Sequence, residues 1–174
     1  MTEKLTTRIK AIAQLQGKFE LRSGAIAETY FDKYRFEAEP ELLHDICAAM
    51  VPLLPAESRV LAGLEMGGIP LVTLLSQLTR LPCAFIRKEA KAYGTCRYAE
   101  GVDLPETGVT LIEDVVSSGG AILDALAKLR SDGVYPAVAI CVIDRETGGR
   151  EALAEVGVEL RALITMSDLE QATT

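Results

Sequence analysis

The stretch V109-T-L-I-E-D-V-V-S-S-G-G-A121 decides how this chain is read. Val109, Thr110, Leu111 and Ile112 make a short β-branched and aliphatic run after Gly108, the composition of a strand buried on both faces. Two acids, Glu113 and Asp114, end that run. Val115, Val116, Ser117, Ser118, Gly119 and Gly120 then form a small-residue loop, and Ala121 to Arg130 is rich in helix formers. Such a loop offers free amides, two hydroxyls and little bulk, so it suits a phosphate held at the positive end of the following helix. The spacing is neither GxxxxGK[ST] nor GxGxxG, so no P-loop and no dinucleotide fingerprint is present. A carboxylate beside a phosphate repels it. It suits instead the vicinal hydroxyls of a ribose whose 5-phosphate lies in the loop.

An acidic pair followed by a Ser and Gly loop resembles the ribose-phosphate motif of type I phosphoribosyltransferases. Other segments narrow the resemblance. Arg87, Lys88, Lys91 and Arg97 crowd into a short polar stretch of a chain whose formal net charge is -7. The RKEAK run from Arg87 to Lys91, then Tyr93 and Gly94, closely resembles the mobile catalytic loop of orotate phosphoribosyltransferases, which often have histidine where Tyr93 stands. Phe19 to Gly24 (FELRSG) with Tyr30 and Phe31 resembles that family's base-pocket segment, with Arg22 in place of the usual lysine. Asp144 with Arg145 at the end of another apolar run resembles its substrate-carboxylate contact. Glu65 to Gly68 has the shape of the pyrophosphate loop, with Gly67 where many members carry lysine.

Composition bounds the possibilities. At 174 residues and 49% hydrophobic the chain is long enough for one well-cored domain. Its acidic balance argues against broad nucleic-acid binding, while the local cationic cluster suits a small, highly anionic ligand. Cys47, Cys83, Cys96 and Cys141 show no CxxC or zinc spacing and read as reduced thiols, mostly buried. Without an apolar leader or a run long enough for a membrane span, the expectation is a cytoplasmic protein with no membrane partner.

Along the chain, apolar spacing predicts a helix from Lys4 ended by Gly17, a brief strand Phe19 to Leu21 with a hairpin partner Thr29 to Asp32, and a helix Pro40 to Leu54. Strands are expected at Arg59 to Leu64, Cys83 to Ile86, Pro136 to Ile143 and Leu160 to Thr165. Helices are expected at Leu71 to Leu78, Gly119 to Asp132 and Glu151 to Val156, with a capped turn at Ser167 to Gln171. His44, the lone histidine, receives no role. The alternation predicts an α/β, doubly wound, mostly parallel sheet flanked by helices. Glu65 to Gly68, Arg87 to Lys91, Glu113 to Gly120 and Asp144 to Arg145 should then meet at one sheet edge. The resemblance adds a small N-terminal hood, residues 1–36 of a single domain 1–174.

What the resemblance implies is Mg2+-dependent transfer of a phosphoribosyl group from 5-phosphoribosyl 1-diphosphate (PRPP) to orotate, a step of pyrimidine biosynthesis. Arg87, Lys88, Lys91 and Asp114 would be catalytic. PRPP would also meet Tyr93, Glu113, Val115, Val116, Ser117, Ser118, Gly119, Gly120, Ala121, Gly67 and Gly68. Arg22, Tyr30, Phe31, Ser117 and Arg145 would hold orotate. The Mg2+ would be held mainly by PRPP and water, and the working unit would be a homodimer whose 87–101 loop reaches the neighbouring site. Transfer to another nucleobase, and a non-catalytic PRPP-sensing regulator of the same fold, remain alternatives at this point.

Overall fold

A computed structural model describes residues 2–20, 24, 26–90 and 97–172. Helix α1 (Thr2–Ala13) is followed by an antiparallel hairpin of β1 (Gln14–Glu20) and β2 (Ile26–Phe31), then by α2 (Lys33–Glu37) and α3 (Pro40–Met50). Strand and helix then alternate through β3 (Val60–Leu64), α4 (Gly68–Thr79), β4 (Cys83–Ile86), β5 (Ala99–Gly101), β6 (Val109–Val116), α5 (Gly120–Ser131), β7 (Val138–Asp144), α6 (Gly149–Glu155), β8 (Glu159–Thr165) and α7 (Met166–Gln171). The main sheet runs β5-β4-β3-β6-β7-β8, parallel except for the antiparallel edge strand β5.

The apolar runs are explained by burial on both faces. Ile112, Ile140 and Val142 point into one core with Ile9, Ile46 and Leu71, whereas Leu111, Ala139 and Cys141 point into the other with Ile122, Leu126 and Leu153. Helices therefore cover both faces, as a doubly wound sheet requires. Close approach at the sheet centre depends on glycine. A Cβ on Gly68 would run into the Ile112 carbonyl, so the start of α4 lies directly against β6.

Several expected boundaries move. Gly17 does not end the first helix. Gln14, Leu15 and Gln16 pair with Phe31, Tyr30 and Thr29, so the chain leaves the helix after Ala13 and runs as a strand through Gly17. The helix from Pro40 stops at Met50 because Pro52 has no N–H to continue it, leaving a single 3-10 turn Val51–Leu53. The strand from Val109 does not stop at its acids: Glu113 pairs with Cys141, Val115 with Ile143 and Val116 with Asp144. Helix α2 and strand β5 were not foreseen. Among the described residues no helix is long and apolar enough to cross a membrane. Cys47 and Cys141 are buried and Cys83 half-buried, all as free thiols, while Cys96 lies outside the described residues.

Candidate active site

The carboxyl ends of β4, β3, β6 and β7 lie side by side on one sheet edge, and the four polar junctions follow them there. Among the described residues, three cavities open along this edge.

The first, about 250 Å3, lies between the expected pyrophosphate loop and the cationic loop. Glu65, Arg87, Lys88, Glu113 and Lys33 contribute to its wall. The start of the cationic loop is tied down on three sides. The Arg87 amide donates to the Tyr98 carbonyl at 2.9 Å, the Lys88 amide donates to the Glu65 carboxylate, and Lys128 Nζ donates to the Lys88 carbonyl at 2.8 Å. Lys128 also stands 4.5 Å above the Tyr98 ring.

The second, about 210 Å3, lies where β6 passes into the loop: Glu113, Val115 and Val116 of the strand and Ser117, Ser118, Gly119, Gly120 and Ala121 line it. Gly119 precedes α5 in the left-handed region (φ 79°) and no side chain caps that helix. The first-turn amides of an α-helix have no acceptor within the helix, so they stay available to an anion in the groove. Helix α4, preceded by Gly67, likewise lacks a side-chain cap. Helix α6, after Gly148, also lacks a side-chain cap, whereas α2, α3 and α7 are capped by Asp32, Glu39 and Thr165.

The third, about 440 Å3, brings Tyr30 and Phe31 of the hood together with Arg145. The Arg145 amide is fixed to the Val116 carbonyl at 2.8 Å. Its neighbour Asp144 is buried and committed to structure, accepting from Arg150 Nε and Nη2 at 3.2 and 3.0 Å and from the Glu146 amide at 2.9 Å. Ser117 lines the second cavity rather than this one. Arg22, Lys91 and Tyr93 lie outside the described residues.

The acidic pair is the electrostatic centre. Asp114 is fully buried and Glu113 nearly so. Asp114 Oδ1 accepts from the Val115 amide at 2.6 Å and from Lys33 Nζ at 3.0 Å, and Oδ2 stands 2.7 Å from the same ammonium. Burial opposes the Asp114 charge, but hydrogen bonds from Glu113, Glu37 and Lys33 outweigh it and hold Asp114 below the ordinary carboxylate range. Glu113 moves the other way, well above that range, through burial and its hydrogen bond to Asp114. Burial and the nearby Asp114 likewise push Glu37 up to about 9. Burial would lower Lys33, yet its bond to Asp114 prevails and raises it. The cluster thus places its negative charge on Asp114 and its positive charge on Lys33.

Gly67 has a reason to be glycine. A Cβ there would fall 2.9 Å from Asp114 Oδ1 and overlap Oδ2 outright. The oxygen that excludes a side chain at 67 is the oxygen that Lys33 meets, so α2 brings a cation to the edge of a loop that has none at Gly67. Lys33 and Glu37 are the members of this charged cluster that sequence reasoning missed. Their i, i+4 spacing was a signal, since it places both on one helix face, but that pattern ordinarily marks a solvated ion pair.

No protein-family model matches the chain. Individual proteins do. It is 48% identical over 168 residues to the orotate phosphoribosyltransferase of a Nocardioides species, covering 97% of this chain and 94% of that one. It is 41% identical over 169 residues to the orotate phosphoribosyltransferase of Halobacterium salinarum, covering 97% and 96%. The fold superimposes on the crystal structure of Mycobacterium tuberculosis orotate phosphoribosyltransferase in complex with Fe(III) dicitrate with a TM-score of 0.83, at 27% identity and over 97% of this chain and 98% of that one.

Proposed function

The chain belongs to the orotate phosphoribosyltransferase family, and from that premise we propose how its residues carry out the reaction. It is an enzyme that transfers a phosphoribosyl group from PRPP to orotate, giving orotidine 5-phosphate and pyrophosphate. As the bond from the anomeric carbon to pyrophosphate breaks, positive charge grows on the ribose ring and negative charge on the leaving group. The chain must hold the sugar, receive the diphosphate charge and keep the nucleophile in line.

The amides and hydroxyls from Val115 to Ala121 cradle the 5-phosphate. Glu113, which lines both the diphosphate and the loop cavities, and Asp114, buried beside it, are the acceptors for the ribose hydroxyls. The backbone of Gly67 and Gly68 and the cations Arg87, Lys88 and Lys91 face the diphosphate, with Tyr93 donating to a phosphate oxygen. Lys91 acts where charge develops, so its contact strengthens in the transition state. Orotate stacks among Tyr30 and Phe31, and Arg145 and Arg22 meet its carboxylate, where a guanidinium fork fits well. Ser117 closes the wall between sugar and base.

Mg2+ fits this arrangement. Glu65 and Asp124 both line the diphosphate cavity and supply the hard oxygens that Mg2+ prefers, so they would meet the ion or its water shell, with PRPP holding most of it. When bound, the ion neutralises diphosphate charge and fixes the geometry of the donor. The working unit is a homodimer in which the 87–101 loop reaches the neighbouring site, and the free thiols suit the cytoplasm.

The observation that carries this reading is the convergence, at one sheet edge, of a buried acidic pair, an uncapped glycine-led helix and a cationic loop. Orotate consumption by the purified protein with PRPP, with and without magnesium, tests it. Turnover of adenine, hypoxanthine or uracil in preference to orotate would reassign the base pocket. Mixing Lys91→Ala with Asp114→Asn protomers tests the shared site, because only a dimer with exchanged loops recovers activity.

A further inference from the structure

The backbone at Lys88 is held on both sides by side chains from other segments. Its amide donates to the Glu65 carboxylate, from the loop between β3 and α4, and its carbonyl accepts from Lys128 Nζ at 2.8 Å, from the last turn of α5. The same ammonium stands 4.5 Å from the centre of the Tyr98 ring, and the Tyr98 carbonyl accepts from the Arg87 amide at 2.9 Å. Lys88 lies where the chain leaves β4 and Tyr98 where it enters β5, with Lys91 between them in sequence. Lys128 therefore grips the outgoing and the returning arm at once. It is an exposed residue, and an exposed lysine ordinarily stays in water because ordering its long side chain costs rotamer freedom. Two partners in one place, a carbonyl and an aromatic face, offset that cost.

This step rests on the reading of Arg87 and Lys88 as cations that face the diphosphate. We propose that Lys128 is a positioning residue of the reaction, clasping the neck of the cationic loop so that Arg87 and Lys88 stand ready for the leaving group. A residue has two soft backbone dihedrals. With the amide and the carbonyl of Lys88 both bonded, those dihedrals are set, and Lys88 keeps its place in the wall of the cavity it shares with Arg87 and Glu65. Releasing Lys128 frees the carbonyl side and takes the cation off the Tyr98 ring, so the two arms part at the neck. The cations then meet the diphosphate only after reordering, and that cost falls on the step in which leaving-group charge develops. Helix α5 thus has two tasks. Its first turn follows the loop that receives the 5-phosphate, and its last turn holds the loop that receives the diphosphate.

The test uses the full-length protein with PRPP and orotate. Wild-type protein that does not consume orotate with PRPP would remove the underlying reading, whatever Lys128 does. With turnover established, kcat, both KM values and melting temperatures are measured for Lys128→Ala, Lys128→Arg, Tyr98→Leu and the double variant Lys128→Ala/Tyr98→Leu. Lys128→Ala is expected to lower kcat about tenfold. Its orotate KM stays within about twofold of wild type, and its melting temperature within about 3 °C, because the residue is exposed. Lys128→Arg keeps a donor and a cation for the ring, so its kcat stays within about threefold of wild type. Tyr98→Leu removes the ring, and adding Lys128→Ala to it costs about threefold more rather than tenfold, since both changes open one clasp. A wild-type kcat in Lys128→Ala, or a Lys128→Arg variant as slow as Lys128→Ala, overturns the proposal. So does an orotate KM that rises as far as kcat falls, the mark of general loosening. A penalty of about tenfold carried in full on top of Tyr98→Leu also overturns it, as the mark of a charge acting from a distance. If Tyr98→Leu does not fold, the arginine variant decides.

Discussion

Replacing Gly67 with alanine adds one methyl group, and the geometry predicts a large effect on donor binding. Non-bonded carbon and oxygen atoms settle at about 3.3 Å or more, whereas the new Cβ would lie 2.9 Å from Asp114 Oδ1 and overlap Oδ2. Something must move by more than about 1 Å. If Asp114 moves, its bonds to the Val115 amide at 2.6 Å and to Lys33 at 3.0 Å stretch past useful length. Losing one bond to a charged group costs about 1.5–3 kcal/mol. If the loop moves instead, the uncapped amides at the start of α4 leave the diphosphate by the same distance, and a misplacement of about 1 Å can cost as much as 10²-fold. Either route lowers PRPP affinity by about ten- to a hundredfold, roughly 1.4–2.7 kcal/mol. Strain of about 1–3 kcal/mol in this packed region also lowers the melting temperature by several degrees. Titration calorimetry with PRPP and a thermal melt read both. A Kd within about threefold of wild type together with an unshifted melt would show that Gly67 does not stand against Asp114.

Lys91→Ala is expected to lower kcat by about 10²-fold or more while PRPP binding changes little, because its contact forms as diphosphate charge develops; a normal kcat with a raised KM would contradict that role. Arg145→Ala is expected to raise the orotate KM by about tenfold or more and leave PRPP affinity alone, and Arg145→Lys should restore only part of it, since an ammonium lacks the planar fork. Equal losses for both substrates would place Arg145 outside the base pocket. Stability should fall as pH rises from about 5 to 9. Glu37 and Glu113 titrate above the ordinary carboxyl range when folded, so in that window the native protein binds more protons than the unfolded chain. Melting temperatures that stay level or climb across those pH values would show these acids to be ionised in the fold.

The parallel sheet was legible because its strands are buried on both faces and read as unbroken apolar runs, Cys83–Ile86 without any change of bounds. The 117–120 loop was legible because four small residues between such a run and a helix-forming segment mark a turn. The short elements were not. Helix α2 has five residues, too few for periodicity, and is held by its Asp32 cap and the buried Phe36. Strand β5 has three, and forms because the edge of β4 needs a partner. Gly17 looked like a helix stop, and only the pairing of Gln14 with Phe31 shows the chain already extended there.

The continuation of β6 through its acids was unreadable for a more instructive reason. A strand interior is the wrong place for carboxylates unless something far away in sequence neutralises them. Here the remedy lies in α2, where Lys33 supplies the charge. A methyl group at position 67 would deny Asp114 its place, so Gly67, Lys33 and Asp114 form one interdependent set drawn from three segments. Read singly, each has an ordinary explanation: a turn glycine, a surface ion pair, a strand-end acid. Their joint meaning follows only from Asp114 being fully buried while still ionised, because that state requires a nearby cation, a hydrogen-bond donor and an unobstructed approach together.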